Sequence, residues 1–367
     1  MIKFFICAVT ILILSNCSLV TPRTQKDYSE PFRVSWSRNL DPKYDTGNLP
    51  IALNWPLAYE GLVFIGDNNG YMRAYDIKNG RKLWVEKDLI GYHAAPTIYK
   101  ENLLYGDIEG RLYSRHYLTG KLNYVVDLGA SIETEPVVEN GRMYVQTRNH
   151  KIFALDYKTG KILWAYKRSI ANLTTTQRAS RPLIVKNKLY VGFADGTLAA
   201  IDINEGVLAW ESKLAPTVKF NDVDASPIWF NGNLLIGSLS GPLSLVNPQN
   251  GLVLRTLNFN VSRSPIVKDD VIYLLTTEGT LVELDKNLQV LKTKRLAKRA
   301  LSSLVDWKGE LAVSSVDGYM YWIKKSDFEI LKKHWLGHVS SAVFGQMAIS
   351  DDKLALMSSR QRLYIFE

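Results

Sequence analysis

From Pro56 to the C-terminus the apolar residues fall in runs too short for a helix and separated at close intervals by polar turns. The stretch from Pro136 to Trp164 shows the unit: runs of β-branched and aromatic residues are divided by Asn140-Gly141, Arg148-Asn149-His150 and Lys158-Thr159-Gly160. Such runs predict a meander of four strands. Asn140-Gly141 predicts a tight hairpin with positive-φ central residues, and Thr159-Gly160 predicts the same for the last turn. No stretch longer than about ten residues keeps the 3.6-residue period of a helix.

The unit recurs. Asp76, Asp156, Asp202 and Asp285, with His116 and Asn247 in the same role, each follow an apolar strand. Gly80, Gly120, Gly160, Gly206 and Gly251 come four residues after five of these, and Trp84, Tyr124, Trp164 and Trp210 four residues later, with Leu254 read as the fifth member. Prolines at 56, 96, 136, 182, 227 and 265 open successive units, giving steps of 40, 40, 46, 45 and 38 residues. A period near forty with four strands per unit predicts an all-β, eight-bladed β-propeller of four-stranded antiparallel blades. Six blades are marked by proline, a seventh runs from Ser303 to Leu331, and an eighth starts at Ser341 and stops after three strands. The segment around Trp36 resembles the Trp-bearing closing strands, so the ring is expected to close with an N-terminal strand that covers the last open edge.

The N-terminal residues set the compartment. Lys3 precedes the apolar run from Phe4 to Leu14, which is too short to span a bilayer. Leu14-Ser15-Asn16-Cys17 resembles a lipobox, which implies a lipoprotein signal peptide over residues 1–16, acylation of Cys17, and outer-membrane anchorage facing the periplasm. Residues 17–31 read as a lipidated N-terminus and tether, and residues 32–367 as one propeller domain. The two cysteines are Cys7, inside the removable segment, and Cys17, so the mature chain is expected to hold together by packing alone.

Composition adds less. The chain is 46% hydrophobic and 11% aromatic, as a compact domain needs, with a net charge of +9 and its densest basic cluster at 292–299. For an exported chain, nucleic acid is not an expected partner; the basic edge faces solvent, anionic headgroups or an acidic protein. The five histidines lie in different units without ligand spacing, and no metal or cofactor is expected. None of the common hydrolase, zincin, Walker or Rossmann motifs occurs.

Ala154-Leu-Asp-Tyr-Lys-Thr-Gly-Lys-Ile-Leu-Trp164 resembles the tryptophan-docking repeat of pyrroloquinoline-quinone (PQQ) dehydrogenases, as does the unit closing at Trp84. In this repeat Trp36, Trp84, Trp164 and Trp210, with Gly80, Gly160 and Gly206, are structural docking residues. Over its full length the chain resembles the BamB family, lipoprotein propellers of the machinery that assembles outer-membrane β-barrels. The most specific match is Asn221-Asp-Val-Asp-Ala-Ser-Pro227, with Leu173-Thr-Thr-Thr-Gln-Arg178 one blade earlier. The resemblance implies a non-catalytic scaffold in which Leu173, Thr176, Arg178, Asp222 and Asp224 contact a periplasmic POTRA domain of BamA. Gln177 replaces Arg178 if no residue is inserted. These loops precede the two longest blade steps, and their charges could set a partner's register. Nascent outer-membrane proteins are a further expected partner through exposed blade edges. The alternative readings are a periplasmic PQQ dehydrogenase and a ligand- or peptidoglycan-associated propeller lipoprotein.

Overall fold

The computed structural model describes residues 31–43, 45, 53–168, 180–214, 225–237, 241–261, 263–337 and 342–367. Residues Val34–Glu367 form one compact unit. It contains eight four-stranded antiparallel sheets. Blade 1 is Leu57–Tyr59, Leu62–Gly66, Tyr71–Asp76 and Lys82–Lys87. Blade 2 runs from Thr97–Tyr99 to Leu122–Asp127, blade 3 from Val137–Glu139 to Ile162–Lys167, and blade 4 from Leu183–Val185 to Leu208–Lys213. Blade 5 runs from Ile228–Phe230 to Val253–Leu257, blade 6 from Ile266–Lys268 to Val290–Arg295, and blade 7 from Leu301–Trp307 to Ile330–Trp335. Blade 8 combines Ala348–Ser350, Lys353–Ser358 and Arg362–Phe366 with the N-terminal strand Val34–Asn39 as its outer edge. The propeller predicted from the repeats is the fold observed.

Each sheet alone would expose both faces, so the core is distributed between neighbours. Between blades 3 and 4, Tyr144, Ile152 and Ala154 pack on Leu189, Val191, Phe193, Ala199 and Ile201. Blades 8 and 1 repeat the arrangement with Ala355, Met357, Leu363 and Ile365 against Val63, Ile65, Tyr75 and Ile77. Alternating large and small residues let the facing sheets interdigitate. The seam is also clamped by polar contacts. The buried Gln361 side chain accepts from Asn68 N–H at 2.8 Å and donates to Asp41 at 3.3 Å, while its carbonyl accepts from Leu40 N–H at 2.8 Å.

The turns follow the sequence with one correction. Asn140 and Gly141 have φ of 49° and 78°, as a two-residue primed hairpin requires. The turn at Thr159-Gly160 is wider. Gly160 alone is left-handed, at 73°, and the Asp156 carboxylate accepts from the N–H groups of Lys158 and Thr159 at 3.1 and 2.8 Å. A register shift follows, with Ala154 opposite Trp164 but Leu155 opposite Ile162. This bulge turns the Trp164 ring toward the next blade and leaves Leu163 exposed.

That ring is what joins blade to blade. Trp36 Nε1–H donates to Ile77 O at 2.9 Å, Trp84 to Tyr117 O at 2.8 Å, Trp164 to Ile203 O at 3.0 Å and Trp210 to Pro248 O at 3.0 Å. Tyr124 makes the same reach through its hydroxyl, 2.6 Å from Tyr157 O. Each ring lies over the turn glycine of the following blade: Gly80, Gly120, Gly160, Gly206 and Gly251. At Gly206 a Cβ would meet the Trp164 ring at 2.6 Å, and φ is 72°, so both space and backbone exclude a side chain.

Leu254 does not take the fifth position. The bulge places Arg255 opposite Leu245, where blade 8 and blades 1 to 4 carry the ring, and turns Leu254 out to solvent. Arg255 Nη1 donates to Asn287 O at 2.6 Å, so a guanidinium performs the docking there. In blade 6, Lys292 does it, donating to Lys325 O at 2.7 Å and lying 5.0 Å above the Phe328 ring.

A candidate partner-binding rim and its axial mouth

Strand direction alternates within a blade, so the segments leading from one blade to the next share a rim with the loops between second and third strands. Leu173, Thr176, Gln177 and Arg178 belong to the segment between blades 3 and 4, and Asp222 and Asp224 to the next segment. All six lie outside the described residues, as does Cys17. What the structure brings together is the ends of the two segments that carry them.

The first segment leaves blade 3 at Arg168, which is fastened to blade 4. Its guanidinium donates to Asp195 at 2.8 and 3.2 Å and to Thr197 at 3.2 Å, pairs with Glu211, and lies 5.5 Å from the Phe193 ring centre. Burial opposes ionisation of Asp195, but hydrogen bonds from Arg168 and Thr197 outweigh it and hold the carboxyl below its usual range. The segment returns at Ser180 and Arg181. Ser180 Oγ donates to Ala225 O at 3.4 Å, and Arg181 N–H donates to Ser226 Oγ at 2.9 Å. Those acceptors end the second segment, so the two are tied side by side where they enter blades 4 and 5.

Inward from this tie opens a cavity of about 340 Å³, lined from several blades by Trp55, His93, Glu135, Arg181, Arg263 and Phe344 among others. Glu135 is largely buried there, accepts from Trp55 Nε1–H at 3.1 Å and faces Arg181 at 3.8 Å. Burial raises its pKa, and Arg181 and Trp55 only partly counter the shift. Glu133 lies 3.5 Å from Arg148 and 3.8 Å from His93. Among the described residues, no three His, Cys, Asp or Glu side chains group as a metal site.

Sequence reasoning missed Arg168, Asp195, Glu135 and Arg181. The available signals were positional: Arg168 follows a Trp-bearing strand, and Arg181 precedes the proline that opens blade 4. Neither shows which carboxylate another blade will bring to it.

Fold and docking pattern define an eight-bladed propeller of the tryptophan-docking type. Similar architecture occurs in a europium-containing methanol dehydrogenase, with a TM-score of 0.74 at 11% identity, covering 91% of this chain and 93% of that one. BamB from Moraxella catarrhalis gives a TM-score of 0.75 at 18% identity, covering 92% and 99%. The family described as "Outer membrane protein assembly factor BamB" matches residues 33–124 and 94–289. The chain belongs to that family. Relatives bearing that name include those of Yersinia pestis, 22% identical over 98% of this chain and 97% of theirs, and of Escherichia coli, 21% identical over 97% and 96%.

Proposed function

We propose that the chain is a non-catalytic scaffold of the outer-membrane β-barrel protein assembly complex, anchored through an acylated Cys17 after removal of residues 1–16. Residues 17–31 are its tether, and the propeller faces the periplasm and docks a POTRA domain of BamA through Leu173, Thr176, Arg178, Asp222 and Asp224. The observation that carries this reading is the tie between the two segments. With Arg181 bonded to Ser226, the chain ends nearest Arg178 and Asp224 are held together on one rim, which favours one composite surface over two independent loops. Opposed charges on such a surface select a partner's orientation more than they add affinity. A lipid anchor then keeps the rigid ring near a membrane-borne partner and raises its effective concentration.

The test is charge reversal of Arg178, Asp222 and Asp224 together, followed by co-purification with BamA. The expected result is loss of BamA with an unchanged far-ultraviolet circular dichroism spectrum. Undiminished recovery of BamA would remove the interface while leaving the fold in place.

A further inference from the structure

Blades 6 and 7 differ from the others along the outer wall of the ring. Their outer strands, Val290–Arg295 and Ile330–Trp335, hold five cations and no carboxylate: Lys292, Lys294, Arg295, Lys332 and Lys333. No other outer strand carries more than two cations, Glu86 and Glu211 offset those of two strands, and the strand ending at Asp127 carries none. Lys298 and Arg299, in the segment leading to blade 7, carry the basic run from the wall onto the adjoining rim, and the chain has no acidic residue between Asp285 and Asp306 or between Glu329 and Asp351. Lys294, Arg295, Lys298 and Arg299 are exposed, with no carboxylate at ion-pair distance among the described residues.

The same wall is apolar between its charges. Val290, Leu291, Ile330 and Leu331 are exposed, and Trp335 at the end of its strand is 49% exposed. A solvated edge needs cations but no indole. Lysine and arginine interleaved with aliphatic side chains and a tryptophan are the composition that settles at a lipid–water boundary. The two walls are contiguous, since Lys292 of blade 6 donates to Lys325 O and Ser326 O of blade 7 at 2.7 and 3.2 Å. The next wall round the ring belongs to blade 8 and is the N-terminal strand itself, and the strand it pairs with meets blade 7 where the Phe366 ring lies 5.2 Å from that of Trp322. Val34, where the ring's chain begins, is therefore on the wall beside the basic sector.

We infer that the outer wall of blades 6 and 7 binds an anionic membrane surface, with lysine and arginine meeting headgroup phosphates and Trp335 seated among them. This contact rests on the propeller's own side chains, and any acyl group on the tether adds to it. It turns the wall of the ring toward the bilayer and leaves the rim of Arg181 and Ser226 facing sideways, open to a protein.

All the described strands lie between Val34 and Phe366, so the test uses the chain from Ser18 onward, which carries no acyl group. It is sedimented with vesicles of phosphatidylcholine alone or mixed with phosphatidylglycerol. Binding is expected with the anionic vesicles only and weakens with salt. The variant K294E/R295E/K298E/R299E is expected to lower partitioning by about tenfold or more. The variant K121E/K158E/K161E/K213E, with equal charge change on blades 2 to 4, keeps most of it. Trp335→Ser is expected to weaken binding and leave its salt dependence in place. Absence of wild-type binding, equal binding to neutral vesicles, or equal losses in both quadruple variants would overturn the inference. BamA co-purification reads a separate surface, so either proposal can fail without the other.

Discussion

One arc of the ring, from blade 8 through blade 4, is joined by aromatic rings laid over glycines. At blades 5 and 6, Arg255 and Lys292 replace the ring. The turn residue they approach is not glycine but Leu288 or Phe328, each left-handed at φ 61° and 60° and each buried. The partners have exchanged roles: where the strand gives up its aromatic group, the turn supplies apolar bulk and the strand supplies a cation. In both versions the strand side chain donates to a carbonyl of the next turn, so the hydrogen bond is the constant and the packing is negotiable. Without the indole signature, the repeat fades from the sequence after blade 4 although the geometry continues.

The comparison can be broken at its aromatic end first. Trp84→Ala removes a buried ring packed on Phe64 and Gly120 together with its bond to Tyr117, and is expected to cost about 3–5 kcal/mol in urea unfolding. At the cationic end, Lys292→Ala removes two carbonyl bonds and the 3.1 Å partner of the nearly buried Glu283, for an expected loss of about 1–3 kcal/mol. Glu283→Gln in the same background is expected to recover part of that loss, because the unpaired carboxylate disappears. If Lys292→Ala proves as costly as Trp84→Ala, the two joints are not graded as argued.

The smallest effect concerns pH. Glu135 has its folded pKa raised above 4.5, chiefly by burial, so the folded state binds the proton more tightly than the unfolded chain. Stability from this group therefore falls as pH rises from 4.5 through the raised value. Glu135→Gln, which can still accept from Trp55, is expected to be the more stable protein at pH 7, with the advantage vanishing near pH 4.5. Thermal melts at both pH values check the sign.

The blade count was legible because glycine, proline and tryptophan recur wherever the backbone demands them. Arg255 was misread as Leu254 because bulge geometry decides which of two adjacent residues points inward, and hydrophobicity favours the wrong one. The rim was harder. Asp195 and Arg168 are 27 residues apart, and Glu135 and Arg181 come from different blades, so those pairings exist only after the sheets have stacked. Leu173, Thr176, Arg178, Asp222 and Asp224 stand out in the sequence through family resemblance and blade spacing, and their contribution rests on the BamA experiment.

The N-terminal strand that completes blade 8 has a bearing on time as well as on shape. Val34 pairs with Phe366, so the first of the described strands waits for the last one before its edge is satisfied. Seven blades have all four of their strands without it, but the circle stays open until the two ends of the chain pair. Losing the strand Val34–Asn39 or the last few residues would then undo one and the same sheet.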